Sequence, residues 1–211
     1  MKLASTSVAV LAAVAAIGAA GYSLAQAPAA PAAAAAPAAA DLKPGVYKAD
    51  PGHTKITWSI DHLGYSTYSG QFVDVEADLT VAADPKASTL SVTVPLAKMF
   101  SGNAGLDKHM SGPDFFDVPN FAAATFKSTS ISVTGANTAT VTGDLTIRGV
   151  TKPATLAVVF RKGAHNPRAN KYVIGYDATG VIKRSDFGVS YGLPAVSDEV
   201  QLKIGSEFRA Q

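Results

Sequence analysis

The sequence of 211 residues contains no cysteine. Disulfide frameworks, iron–sulfur clusters, thiolate zinc sites and cysteine nucleophiles are therefore excluded. An excess of charge of one sign is also lacking, because 18 Lys and Arg residues stand against 16 Asp and Glu residues. A chain so near to neutral lacks the excess of basic residues that is typical of nucleic-acid-binding proteins.

Several signatures of catalysis are missing as well. The sequence has no Ser-x-x-Lys and no glycine-rich phosphate loop. The four histidines, at 53, 62, 109 and 165, form no pair at a metal-ligand spacing. We therefore expect no enzyme, no cofactor and no metal centre, although a metal site assembled by the fold stays open.

The first 40 residues include 20 alanines and differ from the rest of the chain. Residues 1–25 are typical of a signal peptide: Lys2 precedes a 14-residue uncharged run from Val8 to Gly21, and small residues follow at Ser23 and Ala25. We predict export with cleavage after Ala25. An uncleaved membrane helix is the alternative, but it needs about 20 apolar residues. Residues 26–41, rich in alanine and proline, are predicted to be a linker.

A period of two dominates the predicted domain, 42–211. In 73–81 every odd residue is apolar and every even one is acidic or threonine. The pattern recurs in segments near 56–60, 90–96, 139–147, 154–160, 172–182 and 196–208, and shorter candidates lie at 45–48 and 124–133. Clean alternation favours antiparallel strands, and about nine long strands favour closure. The sequence thus predicts an all-β fold, an antiparallel lipocalin-like β-barrel of about eight strands.

The segment 97–121 is too long for a plain connection between strands. Within it, residues 103–110 can form a short helix with Leu106 and Met110 on one face. We predict that this helical loop caps one end of the barrel.

The inward rows mix large side chains with Ala77, Ala139, Gly143, Ala154, Ala178 and Gly180. A barrel of this size either fills its interior or holds one small ligand, and small inward residues favour a cavity. The alternative is a packed barrel in which the glycines mark bends or bulges. An apolar cavity suits a long hydrocarbon tail, since burial of each CH₂ contributes about 0.8 kcal/mol.

Two groups of residues are the candidate ligand contacts. The predicted cavity wall comprises Trp58, Ile60, Val73, Val75, Phe115, Phe116, Phe126, Leu145, Ile147, Leu156, Tyr176 and Ala178. Candidates for contact with a polar head group are Arg148, Lys152, Lys183, Arg184 and His109. The competing interpretation is that charges at strand ends simply face water.

Ordered motifs across residues 45–208 resemble the YceI-like family of exported bacterial lipid-binding proteins. They are 47-YKADPGHT-54, 58-WSIDHLG-64, 70-GQF-72, 106-LDKHM-110 with 114-DFFD-117, 143-GDLTIRGVTKP-153, 184-RSDFG-188 and 196-VSDEV-200. One departure is Val118-Pro119-Asn120-Phe121, where the family often has a tyrosine or an aromatic-proline pair.

The resemblance implies a lipocalin-like barrel that holds a polyisoprenoid, such as a prenyl quinone or prenyl pyrophosphate, for transport or storage. It also implies a periplasmic location, no catalysis and no cofactor besides the lipid. Membrane-associated quinone-using proteins are the expected partners, and a homodimer is plausible. The alternatives are an enzyme that acts on such a lipid with His53, His62 or His109 as base, and a filled barrel that acts as a stress-response interaction module.

Overall fold

The computed structural model describes residues 41–211. The predicted signal peptide and nearly all of the predicted linker lie outside the described residues. The described chain forms eleven strands and one α-helix, α1, at Ala104–Met110. The strands are β1 (Gly45–Ala49), β2 (Lys55–His62), β3 (Ser66–Phe72), β4 (Glu76–Val81), β5 (Thr89–Pro95), β6 (Met99–Phe100), β7 (Ala123–Gly135), β8 (Thr138–Ile147), β9 (Val150–Asn166), β10 (Lys171–Lys183) and β11 (Glu199–Ala210).

The strands close into an eight-stranded antiparallel barrel. Three of its members are interrupted strands, namely β1 with β2, β3 with β4, and β5 with β6. Neighbours in sequence pair in order around the barrel, and β11 closes it by pairing with both β1 and β2. This closed sheet confirms the predicted lipocalin-like barrel. Closure removes both exposed edges of the sheet while the apolar face of each strand stays buried.

One interruption changes which residues face inward. Asp74 lies between β3 and β4 with a φ of 56°, so the alternation shifts by one residue there. Phe72 is buried before the break and Val75 after it. The assignment of Val73 to the cavity wall is corrected, because uninterrupted alternation cannot pass through a residue in the left-handed region.

The predicted helix is confirmed at α1. The Asn103 side chain caps its N-terminus by accepting a hydrogen bond from the Leu106 amide at 3.0 Å. Leu106 and Met110 pack on the core cluster that contains Trp58 and Phe187. The helix therefore covers one end of the barrel, called here the helix end.

The opposite end is crossed by residues 41–44, called here the strap. Tyr47 is buried and donates a hydrogen bond from its hydroxyl to the Lys43 carbonyl at 2.7 Å. The Tyr172 hydroxyl bonds to the Asp41 carbonyl. The strap end also carries the β4–β5, β7–β8 and β9–β10 turns, because the strands run up and down.

Within residues 41–211, the helices are too short or too polar to cross a membrane.

Candidate functional site

The barrel interior contains two chambers that lie end to end. The chamber at the helix end has a volume of about 420 Å³, and the chamber at the strap end has a volume of about 280 Å³. Five side chains line both chambers: Ile56, Val94, Leu145, Ile182 and Leu202. Ligand pockets in proteins typically span 300 to 1,000 Å³, so the paired chambers have the size of a ligand site.

The wall of the strap-end chamber is almost entirely hydrocarbon. Its lining residues, all within the described chain, include no Asp, Glu, Lys, Arg or His. Four of the predicted small inward residues line it, Ala77, Ala139, Ala154 and Ala178. Their missing volume creates the chamber, since larger side chains at these positions would point into it.

Eleven of the twelve predicted wall residues line one or both chambers, and Val73 lines neither. At the helix end these are Trp58, Ile60, Phe115, Phe116 and Ile147; at the strap end they are Val75, Phe126, Leu156, Tyr176 and Ala178; Leu145 belongs to both. Burial raises the pKa of the Tyr176 phenol well above its usual range, so this hydroxyl stays neutral. The wall is thus both apolar and uncharged at this point.

Two predicted cavity glycines have a packing role instead. A Cβ at Gly143 would lie 2.5 Å from Phe126 Cζ and 2.5 Å from the Lys127 carbonyl oxygen. A Cβ at Gly180 would lie 2.7 Å from Leu156 Cδ2. Neither glycine lines a chamber. They allow neighbouring side chains to lie flat against the strand.

Apart from the buried Arg184, the polar side chains that line the helix-end chamber are exposed or half-buried, and they are called here its rim. The His109 ring stacks edge to face on Phe115 and Tyr191, with centroid separations of 5.0 and 4.9 Å. Its Nε2 lies 3.1 Å from Asp114 Oδ2. His62, Tyr68 and Asn103 also line this chamber. The two chambers together therefore form an amphipathic site, with an apolar wall along most of its length and polar side chains at the helix end.

Of the five predicted head-group residues, His109 and Arg184 line the helix-end chamber. Lys183 follows the inward-facing Ile182, so strand alternation turns it outward. Lys152 is exposed at the beginning of β9, beyond the chamber wall. Arg148 donates from Nη1 to the Gly188 carbonyl at 3.0 Å and lines neither chamber. These three placements correct the predicted head-group set.

The guanidinium of Arg184 holds a loop rather than offering free donors. Its side chain is buried, and burial lowers the pKa of Arg184. Four backbone carbonyls accept hydrogen bonds from it, at distances of 2.7 to 3.2 Å: Val189, Tyr191, Val196 and Ser197. Arg184 thereby shapes the 189–197 loop and brings Tyr191 to His109.

Sequence reasoning missed Tyr68, Asn103 and Tyr191 at this rim. Tyr191 belongs to a loop with no periodic pattern, and only the Arg184 hydrogen bonds place it there. Tyr68 could have been found from the even-numbered row that continues to Gly70 and Phe72. His62 was considered only as a base in the enzyme alternative.

A second polar cluster lies outside the chambers. Asp50, His53 and Glu207 offer ligand atoms within 4.8 Å of one another. His53 Nδ1 is 2.7 Å from Asp50 Oδ2, and Arg209 pairs with the same oxygen. Burial raises the pKa of the Asp50 carboxyl, but the His53 hydrogen bond and the Arg209 charge outweigh it, so the pKa lies below its usual value. The arginine already neutralises the carboxylate, so the cluster is an ion pair that joins β11 to the β1–β2 break.

The comparisons with known proteins agree with this architecture. The model of the YceI-like domain matches residues 47–208. A UPF0312 protein of Pseudomonas putida strain W619 is 40% identical over 164 residues, which cover 76% of this chain and 84% of the relative.

Two solved structures are similar in fold. Burkholderia cenocepacia BcnA has a TM-score of 0.68 and 26% identity, and the match covers 75% of this chain and 98% of BcnA. A polyisoprenoid binding domain from Saccharophagus degradans has a TM-score of 0.61 and 12% identity, covering 80% and 100%. At that identity the second likeness concerns the fold alone. From the family match and the relative, the chain belongs to the YceI-like domain family.

Proposed function

We propose that this protein binds one long-chain isoprenoid lipid, with the tail along both chambers and the polar head at the rim of the helix end. The observation that carries the proposal is the pair of adjoining chambers, apolar along their length and polar at one end. Burial of each CH₂ contributes about 0.8 kcal/mol, so a tail of many carbons offsets the entropy of ordering the ligand. We extend to this chain, as part of the proposal, the ligand class for which the Saccharophagus degradans domain of the same fold is named.

Recognition of the head group rests on the rim. His109, with Asp114 at its Nε2, and the exposed Tyr191 can donate or accept hydrogen bonds at the end of the tunnel. A quinone carbonyl, a prenol hydroxyl or a prenyl pyrophosphate can accept such hydrogen bonds. The proposal includes binding without catalysis, so the lipid should leave with the mass it had on entry.

From the predicted export signal we propose that the protein acts in the periplasm. A carrier there would load lipid from a membrane and shield the tail from water, for storage or for delivery to membrane-associated quinone-using proteins. Cell fractionation with detection of a mature chain that begins after Ala25 tests this location.

The binding proposal is tested with a prenyl quinone and native mass spectrometry. We expect about one lipid per chain for the wild type, with unchanged lipid mass. Quenching of the fluorescence of Trp58, the single tryptophan, measures the affinity, because its ring lines the helix-end chamber. Wild-type protein that stays empty with prenyl quinone, prenol and prenyl pyrophosphate would overturn the proposal.

A matched pair of variants separates occupancy of the chamber from a general effect on the barrel. Ala178→Leu adds volume to the strap-end chamber and should lower the stoichiometry or affinity at least tenfold. Ala157→Leu adds the same atoms on the exposed outer face, opposite its register partner Thr179, and should bind as the wild type does. Equal binding by both variants would contradict a ligand in this chamber.

A further inference from the structure

The tip of the β9–β10 hairpin concentrates positive charge at the strap end. Residues 161–171 read RKGAHNPRANK, with four cations and no acidic residue. Arg161, Lys162, Arg168 and Lys171 are all exposed. The balanced net charge of the chain thus conceals a local basic segment.

This tip projects beyond the rest of the barrel. The pairing of β8 with β9 ends at Thr138 and Val159, and the pairing of β11 with β10 ends at Arg209 and Val173. Past these residues the two hairpin strands pair only with each other. The basic side chains therefore reach a surface that the neighbouring strands do not.

Few acidic groups offset the charge. Asp177 lies 3.4 Å from Arg161, and Asp41 lies on the strap that contacts Tyr172. The Lys43 ammonium stands 4.3 Å from the centre of the Tyr172 ring and adds another cation beside the hairpin. Among residues 41–211, the side chains of Lys162, Arg168 and Lys171 have no ion-pair partner within 4.0 Å.

The basic tip lies beside the strap-end chamber. The strap that contacts Tyr172 also places Leu42 in the chamber wall, and Phe160 and Tyr176 line the chamber from the base of the hairpin. Val133, on the neighbouring β7–β8 hairpin, lines the same chamber and is 52% exposed. A basic surface and an apolar opening thus face the same side of the molecule.

The opposite end has a different charge. The loops at the helix end carry more acidic than basic residues: Asp61, Asp107, Asp114, Asp117, Asp186, Asp198 and Glu199, against Lys108, Arg148, Lys152, Lys183 and Arg184. The barrel is therefore electrically polarised along its axis. Near an anionic surface, the strap end would be attracted and the helix end would turn away.

From these observations we infer that the β9–β10 hairpin docks the protein on an anionic lipid bilayer, with the strap-end chamber facing the membrane. The inference goes beyond the proposed function, because it names the face of the protein that meets a membrane. Basic side chains at an anionic membrane surface each strengthen binding by about fivefold.

The experiment uses the full chain and flotation with vesicles of phosphatidylcholine alone or mixed with phosphatidylglycerol. At about 0.15 M salt, the wild type should partition to the anionic vesicles roughly a hundredfold better than to the zwitterionic ones. The triple variant Lys162→Gln, Arg168→Gln, Lys171→Gln should lose most of this preference. Its prenyl quinone binding in detergent solution should equal that of the wild type, which separates this inference from the proposed function.

A matched control carries Lys55→Gln, Lys127→Gln and Lys203→Gln, three exposed lysines on other strands. It removes the same formal charge and should keep the vesicle preference within about threefold. Identical flotation by the two triple variants would overturn the inference. So would wild-type protein that does not distinguish the two vesicles, or that binds duplex DNA as tightly as anionic vesicles.

Discussion

Gly143 lies against the Phe126 ring and the β7 backbone. Because of this contact, Gly143 is a packed glycine and does not border a cavity. Gly143→Ala should lower the free energy of unfolding by about 1 to 3 kcal/mol, because the added methyl group has no room beside the Lys127 carbonyl. Gly175→Ala on β10 is the control, since its nearest atoms would be 3.9 Å away. Chemical denaturation of both variants measures the difference, and similar losses would contradict the packing role.

Asp50 makes the stability depend on pH in a defined range. Its pKa in the folded protein lies below the unfolded value of about 3.9. The ionised carboxylate therefore stabilises the fold above the unfolded pKa, and this contribution is lost as the pH falls through the folded pKa.

Asp50→Asn should cost about 1 to 3 kcal/mol at neutral pH, because Arg209 and His53 lose their charged partner. The difference from wild type should shrink as the pH falls below the unfolded pKa of about 3.9 and through the lower folded pKa. Denaturation across this range measures it. Asp78→Asn is the control, because Asp78 pairs with Lys48 in an exposed surface contact and should cost little. A penalty that stays constant with pH would contradict the assignment.

The β10–β11 connection is an element organised by one side chain. Arg184→Lys keeps the charge but loses the planar set of donors that reaches four carbonyls. The free energy of unfolding of the variant should be about 2 to 4 kcal/mol lower than that of the wild type. In this variant the amides of 189–197 should exchange hydrogen faster than they do in the wild type, whereas the exchange of the β7–β8 ladder amides should not change. Arg148→Lys, which removes a single surface bond to Gly188, is the comparison, and equal exchange in both variants would refute the prediction.

Two irregularities in the strands keep the apolar side chains inside the barrel. The Asp74 break and the register shift between Ser128 and Ser130 each change which parity faces inward. Phe126 lines the strap-end chamber before the shift and Ile131 after it. Each bend lets one long strand curve around the barrel while its apolar side chains stay inside.

The whole barrel should respond to a ligand as one unit, because the chambers share five wall residues. At a free lipid concentration a hundred times the Kd, binding stabilises the fold by about 2.7 kcal/mol. For a domain of this size the Tm should rise by roughly 5 to 11 °C. Differential scanning calorimetry measures the shift. The Ala178→Leu variant should show little of it, and a full shift in that variant would place the ligand elsewhere.

Alternation by itself determined the strands, their antiparallel pairing and nine of the eleven wall residues that line the chambers, because a strand with one buried face has a strict period of two. The other two, Phe115 and Phe116, lie in the loop after α1. The N-terminal cap of α1 also depends only on local sequence, since Asn103 lies three residues before the Leu106 amide that donates a hydrogen bond to it. Val73 was misplaced because nothing in the run 73–81 shows that the backbone turns at Asp74.

Only the tertiary structure decided the rest. Tyr191, His109 and Arg184 meet through loops that carry no period, and the basic tip of β9–β10 comes to lie beside the chamber through the strap. Whether Gly143 bordered space or a ring depended on the Phe126 side chain across the ladder. The reason is physical: a repeating pattern reports which face of a strand is buried, whereas the contents of the enclosed space depend on how distant side chains pack against one another.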